Sequence, residues 1–119
     1  MVAAPRRGEI FAVNWNPGRG SEQAGIRPAL VVQNDIGNVA SPTTIVVAVT
    51  TKRPKKPYPF IVEVAGASLP EVSFANCAQL YTIDKERLGR MMGVAGADVM
   101  RRVDEALCHS LQVPLPAGR

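Results

Sequence analysis

The sequence predicts a mainly β domain, a small curled antiparallel sheet or barrel with one substantial helix packed against it at the C-terminal end. Three observations carry that expectation. Short apolar or alternating runs recur along the chain, each closed by Gly, Pro, Asn or Asp. The run TTIVVAVTT, Thr43 to Thr51, is almost wholly β-branched, which suits a pleated strand better than a helix. Only one stretch, Ala97 to Val113, keeps helical spacing for several turns.

The first strand is GEIFAVNW, Gly8 to Trp15, which sets Ile10, Ala12 and Asn14 against Phe11, Val13 and Trp15. NPGRGSEQAG, Asn16 to Gly25, is a long loop of turn residues. PALVVQ, Pro28 to Gln33, is a short apolar strand, with Arg27 standing at its mouth. Residues 34–42 are irregular, with room for one helical turn. The β-branched strand then runs into KRPKKPYP, Lys52 to Pro59, a basic, proline-rich loop. FIVEV, Phe60 to Val64, reads as a strand, GASLPE as a turn and VSFANCAQL, Val72 to Leu80, as a strand. TIDKERLG, Thr82 to Gly89, is a turn or short helix, and RMMGVA, Arg90 to Ala95, a last short strand.

The C-terminal helix carries an apolar stripe of Val99, Val103, Leu107 and Leu111, flanked by Met100 and Ala106. Asp98 in its first turn suits the positive end of the dipole, and Pro114 and Pro116 stop it. Arg101, Arg102, Glu105 and His109 fall on the opposite, wet face, so His109 reads as a solvated residue rather than a catalyst.

The 119 residues fit one domain, 1–119 with a core of about 7–113, and the 46% apolar fraction argues against disorder. Aromatics make up only 5%, so the core must be aliphatic. No apolar run approaches the ~20 residues of a membrane helix, and MVAAPRRGEI lacks a signal-peptide core. A cytoplasmic protein without membrane contact is expected. The formal charge of +4 suits a polyanionic partner without requiring one.

Several chemistries are excluded. Cys77, Cys108 and the lone His109 cannot supply a zinc site, which takes three or four protein ligands, so neither metal nor cofactor is expected. Both cysteines read as small apolar residues in or near the core. GRGSEQAG lacks the lysine and the helix start of a phosphate-binding loop. A Ser/His/Asp set is implausible with one histidine on a wet helix face. What remains is a group of polar residues near strand ends: Arg27, Thr50 and Thr51, Glu22 and Gln23 in the loop, and Gln79. They could meet at one rim if their strands are neighbours. They also suit plainer duties, an ion pair for Arg27 and strand propensity for the threonines.

The stretch RRGEIFAVNWNPGRGSEQAGIRPALVVQND strongly resembles the N-terminal signature of the MazF/PemK family, the toxins of bacterial toxin–antitoxin pairs. GSEQ followed closely by RPALVV is the specific part. IVVAVTTK, YPFIVEV and AQLYTIDKERL continue in the family's order, so the likeness covers about Arg7 to Val113. The resemblance implies an SH3-like barrel with a C-terminal helix, a homodimer, and metal-independent cleavage of single-stranded RNA at short sequences. It implies 2′,3′-cyclic phosphate and 5′-hydroxyl ends, and a cognate antitoxin whose disordered acidic tail covers the RNA groove.

Residue by residue, the resemblance puts the catalytic arginine at Arg27, the threonine at Thr50, the loop glutamate at Glu22 and the late-strand glutamine at Gln79. RNA contact is expected from Gly18, Arg19, Ser21 and Gln23 in the loop, and from Lys52, Arg53, Lys55 and Lys56 in the basic loop. Trp15 and Tyr81 could stack on bases or simply pack. Two departures stand out. Asn14 and Asn16 replace aspartates of the family pattern, and Ala78 precedes Gln79 where an aspartate is usual.

Arginine stays protonated at neutral pH and threonine is no base, so the general base is left open, with Glu22 chemically able. The rival readings are a non-enzymatic toxin on a similar barrel that poisons DNA gyrase by protein contact, and a barrel that binds RNA without cutting it. Neither needs Arg27 aligned with Thr50.

Overall fold

A computed structural model describes residues 4–15 and 25–115. In chain order the elements are β1 (Glu9–Asn14), β2 (Ile26–Val31), α1 (Asp35–Ala40), β3 (Thr43–Thr50), β4 (Ile61–Val64), β5 (Ser73–Asp84), a 3₁₀ turn (Lys85–Arg87), β6 (Leu88–Val94) and α2 (Ala97–Leu111). The six strands form one sheet in the order β4-β5-β3-β2-β1-β6, with every pair antiparallel. The fold is mainly β with a C-terminal helix, as the sequence predicts.

The sheet is curled, and the loop after β4 reaches β6 at the opposite edge. A β-carbon at Gly93 would lie 1.9 Å from the Ala67 carbonyl oxygen, so only glycine permits that approach. Gly8, at φ 97°, ties two more strand ends together. Its N–H donates to Val31 (2.9 Å) and its carbonyl accepts from Ala95 (2.8 Å).

Alternation divides the apolar residues between two faces. One cluster takes Ile10, Leu30, Val47, Val49, Val62 and Ala75, and α2 closes it with Val99, Val103 and Ala106. The other takes Val13, Trp15, Ala29, Val31, Val46 and Ile83, with Phe11, Tyr81 and Leu88 around it. Burial of this mostly aliphatic surface is the main stabilising term.

The helix differs from its predicted stripe at one end. Val99, Val103 and Ala106 are buried, whereas Leu111 is 58% exposed in the last turn, just before Gln112 turns left-handed (φ 55°) and ends the helix. The single turn expected after β2 is α1, started by the Asn34 side chain, which accepts the Gly37 N–H at 2.8 Å. The buried Asn38 is fully used. Its amide donates to the Gln33 carbonyl and to Asp35, and its oxygen accepts from Thr44 and Gln33. β5 is longer than predicted and runs through Thr82 to Asp84, where it pairs with Thr43.

Candidate functional site

Register brings the predicted residues together. β2 pairs β3 with Ala29 against Ala48, Leu30 against Val47 and Val31 against Val46. Arg27 and Thr50 each lie two residues beyond Ala29–Ala48, the last pair the two strands share, so they stand at the same end of the two strands. Alternation puts both on the face of Ala29, Val31 and Val46, away from α2. β1 places Val13 opposite Arg27, and β5 places Phe74 opposite Thr50. Arg27 thus lies inside β2, not ahead of it. Pro28, which has no N–H to give, stands where β2 pairs with β1 alone.

Arg27 is exposed, and its carbonyl accepts the Trp15 indole N–H at 3.3 Å. Trp15 is itself buried and meets Tyr81 edge to face with ring centroids 4.8 Å apart. Trp15 therefore packs beneath the site. The Thr50 hydroxyl oxygen accepts the Lys52 N–H at 3.1 Å, which leaves its own proton to donate outward. The same bond turns the chain from β3 into the basic loop.

Lys52, Arg53, Lys55 and Lys56 are exposed. The Arg53 guanidinium lies over the Phe74 ring at 5.1 Å from its centroid. A hollow of about 270 Å³ is lined by Thr50, Lys52, Arg53, Tyr58, Phe74 and Asn76, among others. Tyr58 stacks on Phe60 at 5.1 Å.

Gln79 stands in a bulge. β5 pairs Leu80 with Val47 and Asn76 with Ala48, so Cys77, Ala78 and Gln79 are extra residues on its side. The Asn76 side-chain oxygen accepts the Ala78 N–H at 3.0 Å and holds the bulge. Gln79 is half-buried and does not line the hollow. Gly18, Arg19, Ser21, Glu22 and Gln23 lie outside the described residues.

Sequence reasoning missed Asn76 and Phe74. Both sit in a run that reads as plain strand, and the signal that reveals them is the pairing of β5 with β3. Cys77 is buried, which pushes its thiol pKa up to about 12 and makes it unreactive. Among the described residues no group of three His, Cys, Asp or Glu could hold a metal ion. No helix among them is long and apolar enough to cross a membrane.

The arrangement can bind a phosphate between an arginine and a hydroxyl, beside a basic, partly aromatic hollow. Comparison with known proteins points the same way. Residues 6–111 match the profile of the PemK-like, MazF-like toxins of type II toxin–antitoxin systems. Endoribonuclease EndoA of Bacillus subtilis is 42% identical over 108 residues, covering 89% of this chain and 93% of that protein. The crystal structure of MazF from Deinococcus radiodurans superposes with a TM-score of 0.80 at 28% identity, covering 94% of this chain and all of the other. An endoribonuclease from a mycobacterial species, solved in complex with its cognate antitoxin, superposes at 0.79 with 27% identity, covering 95% and 100%.

Proposed function

The chain belongs to the PemK-like, MazF-like toxins of type II toxin–antitoxin systems, and on that premise we propose that it is an endoribonuclease that cuts single-stranded RNA at short sequences. The whole chain acts as one toxin domain, with its core at about 7–113. It works as a homodimer in the cytoplasm, where its RNA substrate is, and a cognate antitoxin with a disordered acidic tail restrains it. Cleavage there inhibits translation and growth.

The observation that supports this reading best is the placing of Arg27 and Thr50 on adjacent strands, each two residues beyond the Ala29–Ala48 pair and each, by alternation, on the face away from the helix. RNA brings its own nucleophile, the 2′-hydroxyl, so the reaction needs no metal. The 2′-oxygen loses its proton and attacks the adjacent phosphorus, the P–O5′ bond breaks, the departing 5′-oxygen takes a proton from water, and a 2′,3′-cyclic phosphate and a 5′-hydroxyl remain. Arg27 holds two phosphate oxygens in its fork and its hold strengthens as charge builds on them. Thr50 donates its proton to a phosphate oxygen and fixes the line of attack. Glu22 is the group chemically able to take the 2′-hydroxyl proton. Lys52, Arg53, Lys55 and Lys56 contact the RNA backbone, Gly18, Arg19, Ser21 and Gln23 are further RNA-binding residues, and Gln79 approaches from the bulge.

The test is incubation of the protein, and of Arg27→Ala, with a long single-stranded RNA in excess EDTA. Discrete cuts by the native protein alone, ending in cyclic phosphate and 5′-hydroxyl, are expected. No cutting of two unrelated RNAs, with toxicity in cells intact, would replace this reading with action by protein contact.

A further inference from the structure

We propose that Asn76 reads one base next to the scissile phosphate and favours bases with an oxygen at C4 or C6, uracil (O4) or guanine (O6), over those with an amino group there, cytosine (N4) and adenine (N6). The inference rests on the ribonuclease reading for its substrate and on three observations of its own.

Asn76 is placed to meet the base. It pairs with Ala48 on β3 and Ile61 on β4, one step along the sheet from the Thr50–Phe74 pair and on the same face. Side chains so related stand ~7–8 Å apart diagonally, within reach of one nucleotide. Asn76 and Thr50 line the same hollow.

The amide has only one way to face. The Ala78 N–H donates to the Asn76 side chain at 3.0 Å, and only the oxygen end of an amide can accept it. The NH₂ end is therefore the end left for a ligand. An NH₂ group donates and cannot accept. It satisfies the O4 of uracil or the O6 of guanine, and it meets the N4 or N6 amino group of cytosine or adenine donor to donor.

The surroundings suit a base. The exposed Tyr58 ring and the Arg53 guanidinium, which is held over the buried Phe74, give the hollow an aromatic face and a planar cation, the pair of features on which bases stack.

The experiment uses a panel of short single-stranded RNAs in which each position around one central linkage carries U, G, C or A in turn, the linkage being the mapped cut site where the protein cuts. Cleavage is measured on all-ribose RNA. Binding is measured on the same sequences with a 2′-deoxy sugar at that linkage, which removes the nucleophile. The wild type is expected to prefer U and G over C and A several-fold at one flanking position. Asn76→Asp keeps the acceptor for Ala78 and replaces the donor by an acceptor, so the preference at that position inverts towards C and A. Asn76→Ser, which keeps an oxygen and loses the amide donors, abolishes the preference without inverting it. All other positions keep their profile, and a thermal melt verifies that both variants fold. A wild-type profile in both folded variants overturns the assignment. Binding with the predicted base preference but no cleavage of the all-ribose RNA would sustain it and sink the ribonuclease reading instead.

Discussion

The two faces of the sheet are built from the same aliphatic residues and end in opposite ways. Towards α2, Ile10, Leu30, Val47 and Val49 meet Val99, Val103 and Ala106 of the helix, and the face is closed. On the other face Val13, Ala29, Val31 and Val46 form a smaller cluster beside Trp15, and past its end stand Arg27 and Thr50. The same strands thus bury one row and present the next. Arg27 and Thr50 stand on strands of the sheet, where their positions are held far better than a loop could hold them. The helix-covered face supplies stability, and the open face presents polar groups on the frame that results.

That contrast breaks most visibly at Arg27. Arg27→Ala is expected to lower kcat of RNA cleavage by ~10²–10³ while leaving the melting temperature near that of the wild type, because the side chain is exposed. Single-turnover cleavage beside a thermal melt checks both halves. A large loss of stability would show that the open face supports the fold after all.

The reverse experiment is Leu30→Ala on the closed face. Leu30 is fully buried. Its truncation should cost ~2–5 kcal/mol of stability, read by urea unfolding, with cleavage per folded molecule unchanged. Thr50→Val sharpens the open side, since it keeps the shape and removes the hydroxyl. A drop of about tenfold in kcat, restored by Thr50→Ser, is the expected outcome.

Smaller effects lie at the margins. Swapping the charges of Lys52, Arg53, Lys55 and Lys56 should weaken RNA binding and flatten its salt dependence by ~0.7 in slope for each phosphate the loop no longer neutralises. An unchanged slope would remove the loop from the interface. The smallest effect concerns Asp35, whose carboxylate accepts the Arg7 N–H and then the Asn38 amide, and whose pKa is lowered for those reasons. A lowered folded pKa means that its contribution is present at neutral pH and is lost as pH falls through ~4 and below. The stability gap between wild type and Asp35→Ala should therefore narrow on acidification, with no matching change in RNA affinity.

The fold was largely legible in the residues because its signals are local. The β-branched run of β3, the stripe of α2 and the glycine and proline breaks each act within a few residues of themselves. The misses were also local in origin. Leu111 continues the stripe in spacing, yet it lies exposed in the last turn of the helix. Cys77 to Gln79 read as strand because a bulge leaves no mark in alternation when the partner strand is unknown.

The site was legible in part. The residue types of Arg27 and Thr50, and the resemblance around GSEQ and RPALVV, pointed to phosphate chemistry before any strand was paired. The sequence by itself determined which segments become strands, which helix face is apolar and which charged groups are available. Only the tertiary structure decided that Arg27 and Thr50 stand at the same end of adjacent strands, that Asn76 joins their face, and that its amide turns its oxygen to the bulge. Register and bulges depend on contacts between segments far apart in the chain, and no pattern within one segment can state what lies opposite it.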